Sequence, residues 1–478
     1  MDPSSGSGRV LTCLLVLILC VFCVSPCFSQ ELEAGREAAA LDGSSQEKNY
    51  VGAIGNTLFS NVFLWAVNRF IGRTEYSVVS PKTWKHNLTH PWQWDQSTFL
   101  TNQVGHPYQG STYHAAGRAN GFNFYQSIVF DALGSATWEL FAERARPALN
   151  DFIVTVAGGA ASGEILHRLY LEAYASGSPF APVLSPMHVF NNLVTRRKPE
   201  TGGGNIMYSA VSAGGGAVFA RYYGGPDDGL YDDWNTPSLN IRYDLSYGNP
   251  YVKDSNIPYQ HFDISLGGGG GIPWYDAHFL SDGYLFSRVI SDSQNSGTVL
   301  GLSLNYDFFI GSNSDFSSNA FNASLKHRRR TDNGIFEIKV HAGWLGIGVA
   351  NFEVFAGSGT SLKEGEYRNY GTGGNAKLFL SLSHPARGDF AVSSVWYFMG
   401  IIPNTVDYSE GLVLYSFQDI SYAYPFGERF SAGLGYSFYW KQGWYDNVPD
   451  LTKLTHSIRL YAKYTFKHPG SANSLYSY

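Results

Sequence analysis

Beyond residue 27 the chain has no cysteine: all four, Cys13, Cys20, Cys23 and Cys27, crowd into its first stretch. Past that point neither a disulfide framework nor a thiolate nucleophile or metal ligand is available. Charge is scarce too. Charged residues make up 15% of the sequence, against roughly 25% in soluble domains. The net charge of −6 is mild, and no long basic run offers a surface to nucleic acid. After the N-terminal run, no apolar stretch reaches the ~18 residues of a spanning helix, which argues against a helical inner-membrane protein. What the chain has instead is aromatic residues, at 16%, and 53 glycines. Such a composition suits a surface that need not face water everywhere.

The N-terminal run, Val10 to Val24, is apolar, follows a single Arg9 and precedes Ser25 and Pro26. It fits the hydrophobic region of a secretory signal peptide over residues 1–30, with cleavage near Ser29 or Gln30. Pro26 directly before Cys27 is unfavourable for lipidation there. The chain is therefore expected to be exported.

Residues 31–55 are polar and read as a linker. A helical domain is expected over 56–178. Leu58, Phe59, Val62, Phe63, Ala66 and Phe70 recur at helical spacing up to Gly72. A second helix is expected from about Phe122 to Arg144. A third follows Pro147, with Asn150 or Asp151 as its N-cap, and runs to about Tyr174. Prolines, the run Arg196-Arg197-Lys198 and a glycine triplet make 179–205 a second linker.

From Ile206 to Phe466 the period changes to two. Leu239, Ile241, Tyr243, Leu245 and Tyr247 alternate with polar residues, as do Leu300, Leu302, Leu304, Tyr306 and Phe308. About twelve such runs, many of ten residues or more, are separated by Asn, Asp, Gly, Ser and Pro. Alternation alone also suits a soluble sandwich. Export, strand length and even strand number favour the other solution, a transmembrane antiparallel β-barrel with apolar residues facing lipid. Aromatic groups at strand ends (Trp396, Tyr397, Phe398; Tyr436, Phe438, Tyr439, Trp440) read as interfacial girdles. The fold class is thus mainly β: a barrel of about 12 strands over 206–466, a tail over 467–478, and a helical plug or cap. The glycines of Leu266–Gly271 would leave room in the lumen for a helix.

The stretch NQVGHPYQGSTYHAAGRANG, 102–121, holds many groups that make directed hydrogen bonds, and His106-Pro107-Tyr108 before Gly110 reads as a turn. Glu139 and Glu143 are four apart, as are Glu164 and Arg168, and can share helix faces. Gly159 and Gly163 offer a surface for close helix contact. The favoured reading is a structural polar network of Asp95, Asn102, His106, Tyr108, Tyr113, Arg118, Asn120, Trp138, Glu139, Glu143, Asp151, Glu164 and Arg168. A lipid-modifying hydrolase is the alternative, with His106, Arg118, Glu139 and Glu143 as candidate catalytic residues, or Ser111, Ser127 or Ser135 beside His106 or His114. No nucleophile elbow supports those serines. Glu164-x-x-His167 with Glu139 and Glu143 is only half of a di-metal motif, so neither metal nor other cofactor is expected. A gated pore is a third reading.

The order Trp94-Asp95, Asn102-Gln103, His106-Pro107-Tyr108-x-Gly110, Tyr113, Arg118-x-Asn120-Gly121, Trp138-Glu139, Glu143, Pro147, Asn150-Asp151, Gly158-Gly159 and Gly163-Glu164 resembles the bacterial domain-of-unknown-function family 3943. The likeness covers roughly residues 80–170. It implies an outer-membrane location and no established activity. Asp151…Gly159-x-x-x-Gly163 is also similar to the last helix of VanZ-like and YfiM-like proteins. The expected partners are outer-membrane lipid, the barrel-assembly machinery, and a lipid or small-molecule ligand.

Overall fold

The computed structural model describes residues 47–199, 203–223, 234–271, 274–312, 315–332, 334–354, 365–403, 405 and 410–467. The expected signal peptide, most of the first expected linker and nearly all of the expected tail lie outside them. The chain divides into two compact units at Gly204/Asn205, one helical and one β.

The β unit is a closed antiparallel barrel of twelve strands, each paired with its sequence neighbours, and β1 closing on β12. The strands are β1 (Ile206–Tyr223), β2 (Trp234–Tyr247), β3 (Phe262–Gly270), β4 (Tyr275–Ser293), β5 (Ser296–Gly311), β6 (Phe316–Thr331), β7 (Gly334–Val354), β8 (Gly365–His384), β9 (Gly388–Ile401), β10 (Gly411–Pro425), β11 (Phe430–Tyr445) and β12 (Leu451–Lys467). Closure leaves no unpaired strand edge. All twelve alternating runs fall on these strands. One face of the wall is apolar and exposed, as at Leu239, Leu302, Trp344, Leu412 and Leu460. The polar residues between them turn inward.

Three details differ from the pattern read in sequence. Leu304, Tyr306 and Phe308 continue the outward row of Leu300 and Leu302, yet they are buried. The β2–β3 connection folds back there: the Tyr259 hydroxyl donates to the Leu304 carbonyl at 2.9 Å, while Phe279 stacks on Phe308. The aromatic girdles are also only half outward. Phe398 and Tyr436 are exposed, but Tyr397 and Tyr439 point into the lumen, as strand alternation requires. Finally, the lumenal glycines make room for neighbouring strands. A side chain at Gly267 would meet the His278 ring, and one at Gly269 would meet Asn240 and Asp276 at 2.9 Å.

The helical unit contains, among the described residues, α1 (Tyr50–Ala66), α2 (Pro81–Thr89), α3 (His106–Arg118), α4 (Phe124–Phe141), α5 (Leu149–Ala175), α6 (Ala181–Leu184) and α7 (Pro186–Thr195). A π-helical turn, Val67–Ile71, extends α1 to Gly72, and another, Thr101–Gly105, leads into α3. The supposed turn at His106 is therefore the start of a buried helix: Pro107 sits in its first turn, where a missing N–H costs nothing. α5 begins at Leu149 behind Ala148, so neither Asn150 nor Asp151 is its cap. Helices α6 and α7 occupy much of the supposed second linker.

Candidate functional site

α3 and α5 meet through glycine. A Cβ added at Gly159 would lie 2.6 Å from the Gly110 Cα, and one at Gly163 would lie 2.6 Å from the His114 Cβ. That close approach brings side chains of α3 and α5 onto one carboxylate. Glu164 of α5 takes Arg118 Nε at 3.0 Å and His114 Nε2 at 3.2 Å on one oxygen, and Arg168 at 3.0 Å on the other. The His114 Nδ1 faces Asp131 of α4 at 3.0 Å. All five side chains are sealed from solvent.

Burial alone would raise Glu164, but the two guanidiniums and His114 hold it down to about 2. Burial alone would lower His114; Asp131 and Glu164 instead push it up to about 9, so the ring is an imidazolium at neutral pH. Desolvation lifts Asp131 to about 6 against the pull of His114. Next to this cluster His167 and His188 share a hydrogen bond of 2.9 Å, and Ser185 bonds His188 at 2.7 Å. Burial and then the nearby Arg118 charge depress both rings, His188 to about 3, so both are neutral.

A second cluster is acidic. His106 Nε2 lies 3.5 Å from Asp151, and its Nδ1 lies 3.2 Å from the Thr155 hydroxyl. Glu139 accepts from the Ala148 N–H at 2.8 Å, and Glu143 accepts from the Trp138 indole at 2.7 Å. Desolvation raises Glu139 and Glu143, and with Asp95 it lifts Asp151 to about 8. Burial lowers His106. Carboxylic acid and neutral imidazole are thus the resting forms of Asp151 and His106 at neutral pH.

The single network read from sequence is therefore two. Arg118, Glu164 and Arg168 belong to one; His106, Glu139, Glu143, Asp151 and Trp138 belong to the other, with Asp95 beside them. Tyr113 and Asn120 stand in a third set, with Asn61 accepting from the Tyr113 hydroxyl and Asn191 from the Asn120 amide. Asn102 is buried, whereas Tyr108 is exposed. His114, Asp131, Asn61 and Asn191 were the network members that sequence missed. His114 stands four residues before Arg118, a helical spacing hidden by reading a turn at His106-Pro107-Tyr108. None of the serines nominated from sequence pairs with His106 or His114: both His114 nitrogens face carboxylates, His106 faces Thr155 and Asp151, and the Ser111 hydroxyl donates to the Tyr108 carbonyl. Among the described residues no group of three His, Cys, Asp or Glu is placed to hold a metal ion.

The barrel lumen is the other site. Towards one end its interior is a buried cluster built on Phe309, Phe316, Tyr397, Tyr415 and Phe417, with Leu345, Val395 and Met399. Phe316 and Tyr415 stack at 4.8 Å. Ion pairs and hydrogen bonds reach across the lumen between non-adjacent strands: Arg242 of β2 to Asp419 of β10 at 3.0 Å, Lys377 of β8 to Asp307 of β5 at 2.5 Å, and Tyr439 of β11 to Asp276 of β4 at 2.8 Å. Towards the end where the short hairpin turns lie, a cavity of about 350 Å³ opens, lined by Arg242, Asp263, Lys326, Lys339, Arg459 and Lys463 among others. Its charges are paired, as in Lys339 with Asp263 at 2.7 Å and Lys463 with Asp389 at 2.7 Å. The period-two pattern had placed these residues on the lumenal face without showing which of them meet.

No curated protein matches the chain. Solved structures match it loosely. The NanC porin is 12% identical over 52% of this chain and 98% of that one, with a TM-score of 0.24. The translocator domain of autotransporter NalP from Neisseria meningitidis is 11% identical over 54% and 88%, with a TM-score of 0.25. The Pseudomonas putida toluene transporter TodX is 11% identical over 55% and 90%, with a TM-score of 0.21. The likeness to VanZ-like and YfiM-like proteins rests on the sequence pattern alone. Residues 91–182, the segment holding both buried ionisable clusters, match the model of DUF3943, a domain of unknown function, and the same chain carries a closed twelve-stranded β-barrel.

Proposed function

We propose that this chain is an exported outer-membrane protein whose barrel is sealed by its own side chains and receives a small polar solute in its charged half-lumen. The observation that carries this is the asymmetry of the lumen: a buried aromatic cluster towards one end and a charged cavity towards the other. Four of the five connections on one side (β4–β5, β6–β7, β8–β9 and β10–β11) are turns of two to four residues, β2–β3 (248–261) being the exception, and longer segments (224–233, 355–364, 402–410) join strands on the opposite side. In barrels of this type the short turns face the periplasm, so the cavity opens inward to the cell. Its partners on this reading are outer-membrane lipid around the apolar wall and the barrel-assembly machinery that inserts it.

A seal inside the barrel removes the need for the helical unit to act as a plug. The hydrolase reading loses its residue set, because Arg118 stands with Glu164 while His106, Glu139 and Glu143 stand elsewhere. The test is conductance of the full chain in planar bilayers. The wild type is expected to be silent, and Phe309→Ala/Tyr415→Ala/Phe417→Ala to give discrete conductance steps while still migrating as a heat-modifiable barrel. Steady ohmic steps from the wild type would sink the sealed-barrel reading.

A further inference from the structure

α1 is built inside out. Its buried face is polar: Asn56, Thr57 and Asn61 are enclosed together with Ala53. Asn56 donates to Asn191 of α7 at 2.8 Å, and Asn61 donates to the Gly134 carbonyl of α4 at 2.9 Å. Its outward face carries Val51, Leu58, Phe59, Val62 and Phe63, continued by Phe70 and Ile71 of the π-helical turn, and Val51 is 84% exposed. A surface helix in water has the opposite arrangement. Phe59 stacks on Phe190 of α7 at 4.2 Å, so the stripe runs on to exposed Leu193 and Val194.

Both ends of the stripe are basic. Arg69 and Arg73 stand at its C-terminal end, and Lys48 at its start. Arg197 donates to the Glu47 carbonyl at 2.7 Å, which brings Arg196-Arg197-Lys198 to that same start. Exposed Tyr50 and Tyr76 flank the apolar residues. An apolar face between aromatic and cationic ends fits a helix lying in the head-group region of a bilayer. From Tyr50 to Ile71 the helix runs for 22 residues, or about 33 Å.

We infer that the outward face of α1 and α7 is a lipid-docking surface, with its apolar side chains among the acyl chains of a leaflet and its basic ends on anionic head groups. This explains why the interior of the unit is the polar part: a helix with hydrocarbon outside must direct its hydrogen-bonding side chains inward. The inference does not depend on whether the barrel conducts.

The mature chain lacks cysteine, so a nitroxide at Val62→Cys or Phe63→Cys is unique once the leader is removed. The full-length protein is reconstituted in phosphatidylethanolamine/phosphatidylglycerol vesicles, with a label at Gln294→Cys, exposed in the β4–β5 turn, as the solvent control. Labels at 62 and 63 are expected to collide readily with oxygen and several-fold less with a water-soluble nickel chelate than the label at 294. Arg73→Gln/Arg196→Gln/Lys198→Gln is expected to shift them towards water. Nickel accessibility at 62 and 63 equal to that at 294 overturns the inference. So does dipolar broadening that scales with protein density, which would put a second copy on the face. Heat-modifiability of each labelled protein establishes that the barrel is intact.

Discussion

Glu164 receives three cationic groups on two oxygens, and Asp151 receives none. The two carboxyls are buried within one helix, yet their neighbours give them opposite charge states, Glu164 ionised with a pKa of about 2 and Asp151 protonated with a pKa of about 8. An amide imitates the second and not the first. Glu164→Gln leaves Arg118 and Arg168 buried without their counter-ion and is expected to destabilise the helical unit by about 3–5 kcal/mol. Asp151→Asn keeps a neutral hydrogen-bonding side chain in place and is expected to leave the unit no less stable than the wild type at pH 7. The pH dependence has a definite sign. Glu164 is depressed, so its stabilisation is present above its ordinary value and lost as pH falls towards 2. His114 is raised, so its stabilisation is present below its ordinary value and lost as pH rises through 9. Asp151 is a raised acid whose ionisation opposes folding as pH climbs to 8, so Asp151→Asn should gain on the wild type over that range. Hydrogen exchange of residues 106–175 measures all three effects; equal protection in the two amide variants would contradict the charge assignment. The Glu164–Arg168 pairing was legible from spacing within one helix. The Asp131–His114–Glu164 chain was not, because its members come from three helices and only their packing selects them.

At the scale of elements, the strands were the most legible part, since the wall has one apolar and one polar face and any strand must alternate. The stretch 102–121 misled for the converse reason. Its polar and glycine-rich composition looks like loop, but Gly110 is a contact point for α5 and Gly117 for α4, and the buried His114 and Arg118 find their partner, Glu164, on another helix. Glycine in the wall has an equally local cause. Gly267 faces inward where the His278 ring lies, and Gly270 has no close neighbour beyond the Trp274 carbonyl at 3.9 Å. Gly267→Val is therefore expected to overpack the lumen and cost about 1–3 kcal/mol, lowering the temperature at which heat-modifiability is lost. Gly270→Val should move it far less. Equal shifts would mean that strand propensity, rather than the lumenal ring, sets the requirement for glycine.

For the whole molecule, the decisive feature is that lumenal side chains reach partners on distant strands, which period-two reading cannot foresee because it assigns a face and not a depth or a partner. Asp419 shows how such ties divide the work with the apolar cluster. It is almost fully buried and held by Arg242 at 3.0 Å and Arg459 at 2.6 Å, from β2 and β12. A buried carboxylate with its cations removed is costly, whereas replacing the whole set with apolar groups is often neutral. Arg242→Met/Arg459→Met is expected to lower the thermal transition of the barrel markedly, and adding Asp419→Leu to restore most of it. None of these variants should conduct, because the seal lies in the aromatic cluster around Phe309 and Tyr415. If the double variant opened a channel while remaining folded, the ion-pair layer would be the gate and the aromatic cluster only its support.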